Sequence, residues 1–166
     1  INNMMHDWDF LHLRKPMYKT FEVENIIELI HEEHHSKIVL HDHFELLNDF
    51  NLAGVALNHS NLKKYQSRSD IQSYSAHDLA EISNLKIDPK YVFLSPIYES
   101  ISKADHGPAF EDRSELKKEL KTMDKKVIAL GGVKEDKMDE IASFCFSGYA
   151  MLGGIWEAHL QPKEWG

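Results

Sequence analysis

The chain has 166 residues, 42% of them hydrophobic and 28% charged, which is the balance of an ordinary globular protein with one sizeable core. Its formal net charge of −8 excludes the basic face that a nucleic-acid backbone requires, and no run is apolar for long enough to cross a bilayer. Ile1-Asn2-Asn3-Met4 lacks the charge and apolar centre of a signal peptide, and the single cysteine cannot close an intrachain disulfide, so a reducing, cytoplasmic setting is expected.

Short apolar runs alternate with amphipathic ones along the whole chain. Phe10 to Leu13 reads as a strand, and Phe21 to His31 as a helix with Val23, Ile26, Ile27 and Ile30 on one face. Lys37 to Leu40 is a strand and Phe44 to Phe50 a short helix. Gly54 to Leu57 and Ile71 to Ser75 are strands, and His77 to Leu85 is helical. Tyr91 to Leu94 is an apolar strand that opens into Ser95-Pro96-Ile97-Tyr98-Glu99-Ser100-Ile101-Ser102-Lys103. A charged helix over Asp112 to Met123 leads to a strand at Val127 to Leu130, which ends in Gly131-Gly132-Val133. Lys134 to Ala142 is helical, with Met138 and Ile141 turned inward. The context Ser143-Phe144-Cys145-Phe146 predicts a buried thiol. Gly148 to Leu152 is the last strand, and Ile155 to Leu160 a closing helical turn.

Strand then helix, repeated with short connections, predicts parallel βαβ units. No linker or low-complexity stretch divides the chain, so residues 1–166 are expected to form one domain. Seven strands are one short of a closed eight-stranded barrel. The expected fold is therefore a parallel α/β barrel of TIM type whose first strand is missing at the N-terminus.

In such a fold the chemistry lies after the C-terminal ends of the strands. Hydroxyls with a lysine at residues 100–103, and bare backbone amides at Gly131-Gly132, are groups that hold phosphate. The glycine pair also serves as a tight turn. Arg14 ends a strand, where it either binds an anion or pairs with Asp42. His77 follows a strand, where it either acts as a general acid or base or caps the next helix. His31-Glu32-Glu33-His34-His35 satisfies the His-Glu-x-x-His pattern of zinc peptidases, but it runs from a helix end straight into a strand. That is the stability face of a barrel, which argues against zinc hydrolysis. His41-Asp42-His43 is a better cation candidate, although alternation along a strand sets the two histidines on one face and Asp42 on the other.

The ordered blocks of this chain resemble those of the thiamin-phosphate synthase and thiazole tautomerase family. Leu11-His12-Leu13-Arg14-Lys15 is similar to that family's Gln-Leu-Arg-x-Lys, and Leu40-His41-Asp42-His43 to its Asn-Asp-Arg. Gly54 to Asn61 resembles its Gly-Val-His-Leu-Gly-Gln-x-Asp, and Ser75-Ala76-His77 its Ser-x-His. Ser95 to Lys103 matches its Gly-Pro-Ile-Phe-x-Thr-x-Thr-Lys. Ala129 to Val133 and Gly148 to Ile155 match its last two strand ends.

The resemblance implies a β/α barrel, usually a homodimer, that works on phosphorylated small molecules with neither nucleic acid nor membrane as partner. It implies a transferase joining hydroxymethylpyrimidine diphosphate to thiazole phosphate, releasing diphosphate with Mg²⁺. Binding of the pyrimidine diphosphate then falls on His12, Arg14, Lys15, His41, Ser75 and Lys103, and that of thiazole phosphate on Ser100, Ile101, Ser102, Gly132, Leu152 and Gly153. The metal positions fall on Asp42 and Asn61, and the catalytic ones on His77 and Lys103. Asn61 sets a neutral amide where the family has an acid, while His12, His41 and His43 replace Gln, Asn and Arg. These departures leave open a metal-independent tautomerase or a catalytically silent phosphate-binding relative.

Overall fold

The computed structural model describes residues 1–98 and 113–152. Its strands are β1 (Leu11–Leu13), β2 (Ile38–Leu40), β3 (Gly54–Asn58), β4 (Ile71–Ala76), β5 (Tyr91–Leu94), β6 (Val127–Ala129) and β7 (Gly148–Tyr149). Strand order in the sheet follows strand order in the chain. The helices are α1 (Thr20–Glu28), α2 (His59–Tyr65), α3 (Leu79–Ser83), α4 (Arg113–Thr122) and α5 (Met138–Ser143). This is the TIM-type α/β fold expected from the alternation of strands and helices. Successive strand residues face opposite ways, so the full burial of β2 and β5 means that both faces of those strands are covered, as parallel sheets require. Among the described residues no helix is long and apolar enough to cross a membrane.

Two compact units make up the chain, Ile1–Tyr74 and Ser75–Gly166. In the first, β1 pairs with β2 in parallel register, His12 opposite Val39, and β2 pairs with β3, Leu40 opposite Val55. Helix α1 turns Val23 and Ile27 into the core with Ile30 beyond its end, while Ile26 stays half-buried. Complete burial of a side chain like Ile27 contributes roughly 1.5–3 kcal/mol. Gly54 is required where it stands: its φ is +141°, and a Cβ there would lie 2.3 Å from the Asp70 carbonyl oxygen. The same carbonyl accepts the Val55 amide at 3.0 Å.

In the second unit, β5 pairs with β6, Phe93 opposite Ile128, and β6 with β7, Ala129 opposite Tyr149, again in parallel. Helix α4 buries Leu116 and Leu120 at helical spacing, and α5 buries Ile141. Arg113 lies over the rings of Tyr98 and Phe144 at 5.0 and 5.3 Å.

Several elements depart from the sequence reading. Helix α2 was not expected, because its polar residues show no apolar period. It forms because Asn58 accepts the Ser60 and Asn61 amides while the Asn61 side chain accepts the Asn58 amide, a capping box. The span Lys134 to Ala142 divides into a 3₁₀ turn at Glu135–Lys137 and α5, with Met138 only half-buried. Residues Phe44–Asn48 are likewise 3₁₀, and a 3₁₀ segment that was not expected spans Glu32–Lys37, so the strand begins at Ile38 rather than Lys37. Cys145 is exposed, not buried. It holds a left-handed φ of 70° just past α5, and Phe144 takes the buried position instead. The expected closing turn at 155–160 lies outside the described residues.

Candidate functional site

The first unit gathers polar groups after the carboxyl ends of β1, β2 and β3. His12 in β1 stands diagonally across from His41, which extends β2 through its amide bond to the Leu13 carbonyl at 3.0 Å. The rings meet, His12 Nδ1 to His41 Nε2, at 2.8 Å. Two protonated rings cannot share that contact, so one nitrogen donates and the other accepts. Burial, reinforced by the neighbouring His41, pushes His12 down to about 3. Burial, followed by the Arg14 charge and opposed by Asp42, pushes His41 down to about 4. Both rings are thus neutral at pH 7.

Asp42 follows, with Oδ2 buried and without a hydrogen-bond partner among the described residues. His43 adopts a left-handed backbone, φ 55°, and its Nε2 is buried and unpartnered in the same way. Its Nδ1 lies 3.1 Å from the Thr20 hydroxyl, which already donates to Glu45 Oε1 at 2.7 Å. A hydroxyl has one proton, so Nδ1 donates, and in the neutral ring Nε2 presents a lone pair. The Glu45 carboxyl is held below its usual range by its own backbone amide and by Thr20. An orphaned carboxylate oxygen and an orphaned imidazole lone pair on consecutive residues form a set of acceptors suited to a cation or a donor ligand.

Asn61 is placed differently: its Oδ1 accepts the Asn58 amide at 2.8 Å, so the carbonyl oxygen is engaged at the start of α2. Arg14 is exposed at the end of β1, and Lys15 lies 5.1 Å from the Tyr18 ring.

The second unit has polar groups and glycines of its own after β4 and β6. Ser75 is half-buried near the end of β4. Exposed His77 directs Nδ1 to the Ser95 carbonyl oxygen at 2.9 Å, which can only accept. Nδ1 therefore carries the proton of the neutral ring, and Nε2 is left with the lone pair of a base. The His77 amide donates to Glu81 Oε2 and the Glu81 amide to Asp78 Oδ1, anchoring the turn at the start of α3.

After β6, Gly131 and Gly132 have φ of 90° and 66°. A Cβ on Gly131 would stand 2.8 Å from Pro96 Cα and 2.9 Å from Ser95 Oγ. That close approach is fixed by the Ile97 amide on the Leu130 carbonyl and the Tyr98 amide on the Gly131 carbonyl, at 3.0 and 3.1 Å. Leu152 is exposed beyond β7. Ser100, Ile101, Ser102, Lys103 and Gly153 lie outside the described residues.

Gln72 is a polar residue that the sequence reading did not single out. Both side-chain polar atoms of Gln72, within β4, are buried without a partner among the described residues. A polar residue inside a strand is the one signal that marked it.

Parallel strands alternating with helices, with imidazole, carboxylate, hydroxyl and glycine groups following the strand ends, define the class of TIM-type α/β proteins that carry their chemistry at that end. A family model described as thiamine monophosphate synthase matches residues 6–155, and the chain belongs to that family. It is similar in structure to a thiamine phosphate pyrophosphorylase from Bacteroides thetaiotaomicron, with 36% identity and a TM-score of 0.77 over 95% of this chain and 76% of that one. A thiamine phosphate pyrophosphorylase from Pyrococcus furiosus shares the fold, with 17% identity and a TM-score of 0.72 over 91% of this chain and 76% of that one. No curated protein sequence matches the chain.

Proposed function

We propose that the chain is a thiamin-phosphate-synthase-like transferase acting on hydroxymethylpyrimidine diphosphate and thiazole phosphate. The reaction breaks the bond between the pyrimidine methylene carbon and the diphosphate oxygen and forms a bond from that carbon to the thiazole. Diphosphate leaves with the electron pair. The observation that carries this reading is the buried, unpartnered Oδ2 of Asp42 after β2, at the position the resemblance gives to a metal carboxylate.

Asp42 would hold Mg²⁺, and the engaged carbonyl of Asn61 leaves the diphosphate itself to supply most of the remaining oxygens. When bound, Mg²⁺ supplies charge neutralisation at the departing diphosphate. Arg14 and Lys103 add positive charge there. The His12–His41 pair, neutral at pH 7 with one N–H spent between the rings, presents one N–H donor and one lone pair in place of the Gln and Asn amides of the family. Ser100, Ser102, Gly132 and Gly153 serve the thiazole phosphate through hydroxyls and unobstructed amides. His77, with Nε2 as a base, serves proton movement. The setting is cytoplasmic and the active form a homodimer.

The test supplies both substrates with Mg²⁺ and measures diphosphate release together with the condensed product. Stoichiometric formation of both supports the transferase. One observation favours a metal-independent proton transfer on a thiazole carboxylate phosphate: the capping box occupies the Asn61 carbonyl while the bond from His77 Nδ1 to the Ser95 carbonyl leaves Nε2 as the basic nitrogen. In that case activity persists in Asp42→Ala without Mg²⁺ and disappears in His77→Ala.

A further inference from the structure

A second group of ligand-type side chains stands at the opposite ends of β1 and β2, ahead of their first residues. The His-Glu-x-x-His segment does not form its helical pair: its final histidine, His35, is buried, with Nε2 3.1 and 3.0 Å from the Ile27 and Ile30 carbonyls. The residue before it takes another course. The side chain of His34 is 5% exposed, and its Nε2 has no hydrogen-bond partner among the described residues. Glu33 Oε1 stands 3.6 Å from that nitrogen. The ring of His6, from a segment distant in sequence, meets the His34 ring edge to face at 4.9 Å. One ligand atom from each of His6, Glu33 and His34 lies within 4.8 Å of the others.

The backbone that brings His6 there is fixed on both sides. Asn2 donates to the Leu29 carbonyl and accepts the His31 amide, at 3.1 and 3.0 Å. Lys37 Nζ donates to the carbonyls of Met5 and Trp8 at 2.6 and 2.8 Å, bracketing His6. A loose surface histidine has no such framework.

We propose that His6, Glu33 and His34 form a binding site for one divalent transition ion of the zinc class, with water in the fourth position. Two imidazoles and a carboxylate suit zinc and its neighbours and not Mg²⁺ or Ca²⁺, which demand oxygen ligands. Ligand bonds of about 2.1 Å in a tetrahedron set ligand atoms about 3.4 Å apart. The Glu33–His34 separation already approaches that spacing, and His6 needs only a small inward rotation. The ion answers the unpartnered His34 nitrogen and ties the N-terminal segment to the turn that enters β2. Its role is structural, at the end of these strands away from Arg14 and Asp42. The site does not depend on the transferase reading.

The test is a zinc titration of the whole chain against a chromophoric chelator at pH 7.5 with millimolar Mg²⁺ present, followed by Co²⁺ substitution. One Zn²⁺ per chain is expected, with the visible absorption of tetrahedral Co²⁺. His6→Ala and Glu33→Gln, both at exposed residues, should each weaken binding by at least about tenfold, the scale on which even outer-shell changes act. Unchanged far-UV circular dichroism will show that these variants fold. His59→Ala should leave affinity unchanged, since His59 is an exposed histidine at the start of α2, outside the ligand set. Several weak zinc ions per chain, or binding indifferent to both His6→Ala and Glu33→Gln, overturns the site. Loss of binding in His59→Ala with retention in His6→Ala overturns the ligand assignment.

Discussion

The His12–His41 pair makes stability depend on pH in a way that can be computed from the structure. An unfolded imidazole titrates near 6.5. The folded rings titrate at about 3 and about 4, chiefly because they are buried. Between pH 6.5 and 4 the unfolded chain therefore binds protons that the folded chain refuses. The stability these neutral rings allow is fully present above pH 6.5 and is lost as pH falls toward 4. Each differential proton changes unfolding free energy by about 1.4 kcal/mol per pH unit. Integrated from pH 7.5 to 5, that is roughly 2 kcal/mol per histidine and 4 for the pair, or about 2–4 after allowance for the partial exposure of both rings. At about 2–4 °C per kcal/mol for a chain of this size, the melting temperature falls by on the order of 10 °C from this source. The double variant His12→Gln/His41→Asn keeps hydrogen-bonding amides but cannot titrate, so its loss between pH 7.5 and 5 should be smaller by that amount. Urea unfolding at both pH values measures it. The other histidines contribute alike to both proteins and cancel in the difference. Equal losses in the wild type and the double variant would show that the rings are charged or solvated in the folded state and refute the reasoning.

Asp42→Asn replaces a carboxylate whose buried Oδ2 has no hydrogen-bond partner among the described residues, so the melting temperature should hold or rise while Mg²⁺-dependent diphosphate release falls at least about a hundredfold; a large loss of stability in the variant would contradict the unpartnered placement of that oxygen. Gly131→Ala sets a methyl against the Pro96 backbone at a left-handed φ, and thermal unfolding should show a loss of about 1–3 kcal/mol. Asn58→Ala deletes the cap of α2 at a cost of about 1 kcal/mol in a denaturant titration, with no change in the pH dependence. Asn61→Asp keeps the acceptor for the Asn58 amide and adds an anion, so Mg²⁺ affinity measured by calorimetry without diphosphate should increase.

The alternation of apolar runs with amphipathic ones was enough to reveal a parallel α/β chain, because strands buried on both faces must be apolar throughout and their connecting helices need only one greasy side. Val39-Leu40 and Tyr91 to Leu94 declare themselves in this way. The ordered blocks at the strand ends pointed to the family for a related reason: glycines, hydroxyls and charges stand where a strand stops and a ligand can approach. Helix α2 was not legible, since it depends on a capping box of two asparagines and shows no hydrophobic period. Cys145 misled because neighbouring phenylalanines do not share its fate when the chain turns left-handed.

What only the tertiary structure decided are relations between residues far apart in sequence. His12 and His41 are ordinary histidines until β1 and β2 pair and bury them ring against ring, which makes them neutral. Asp42 and His43 are consecutive polar residues until the left-handed turn and the Thr20 bond leave each with a buried atom that no described residue answers. His77 acquires a defined tautomer only from the Ser95 carbonyl 18 residues onward. The His-Glu-x-x-His pattern is undone in the same way. A 3₁₀ path turns His35 into the core and sets His34 beside His6, because three residues per turn present different side chains together than 3.6 do.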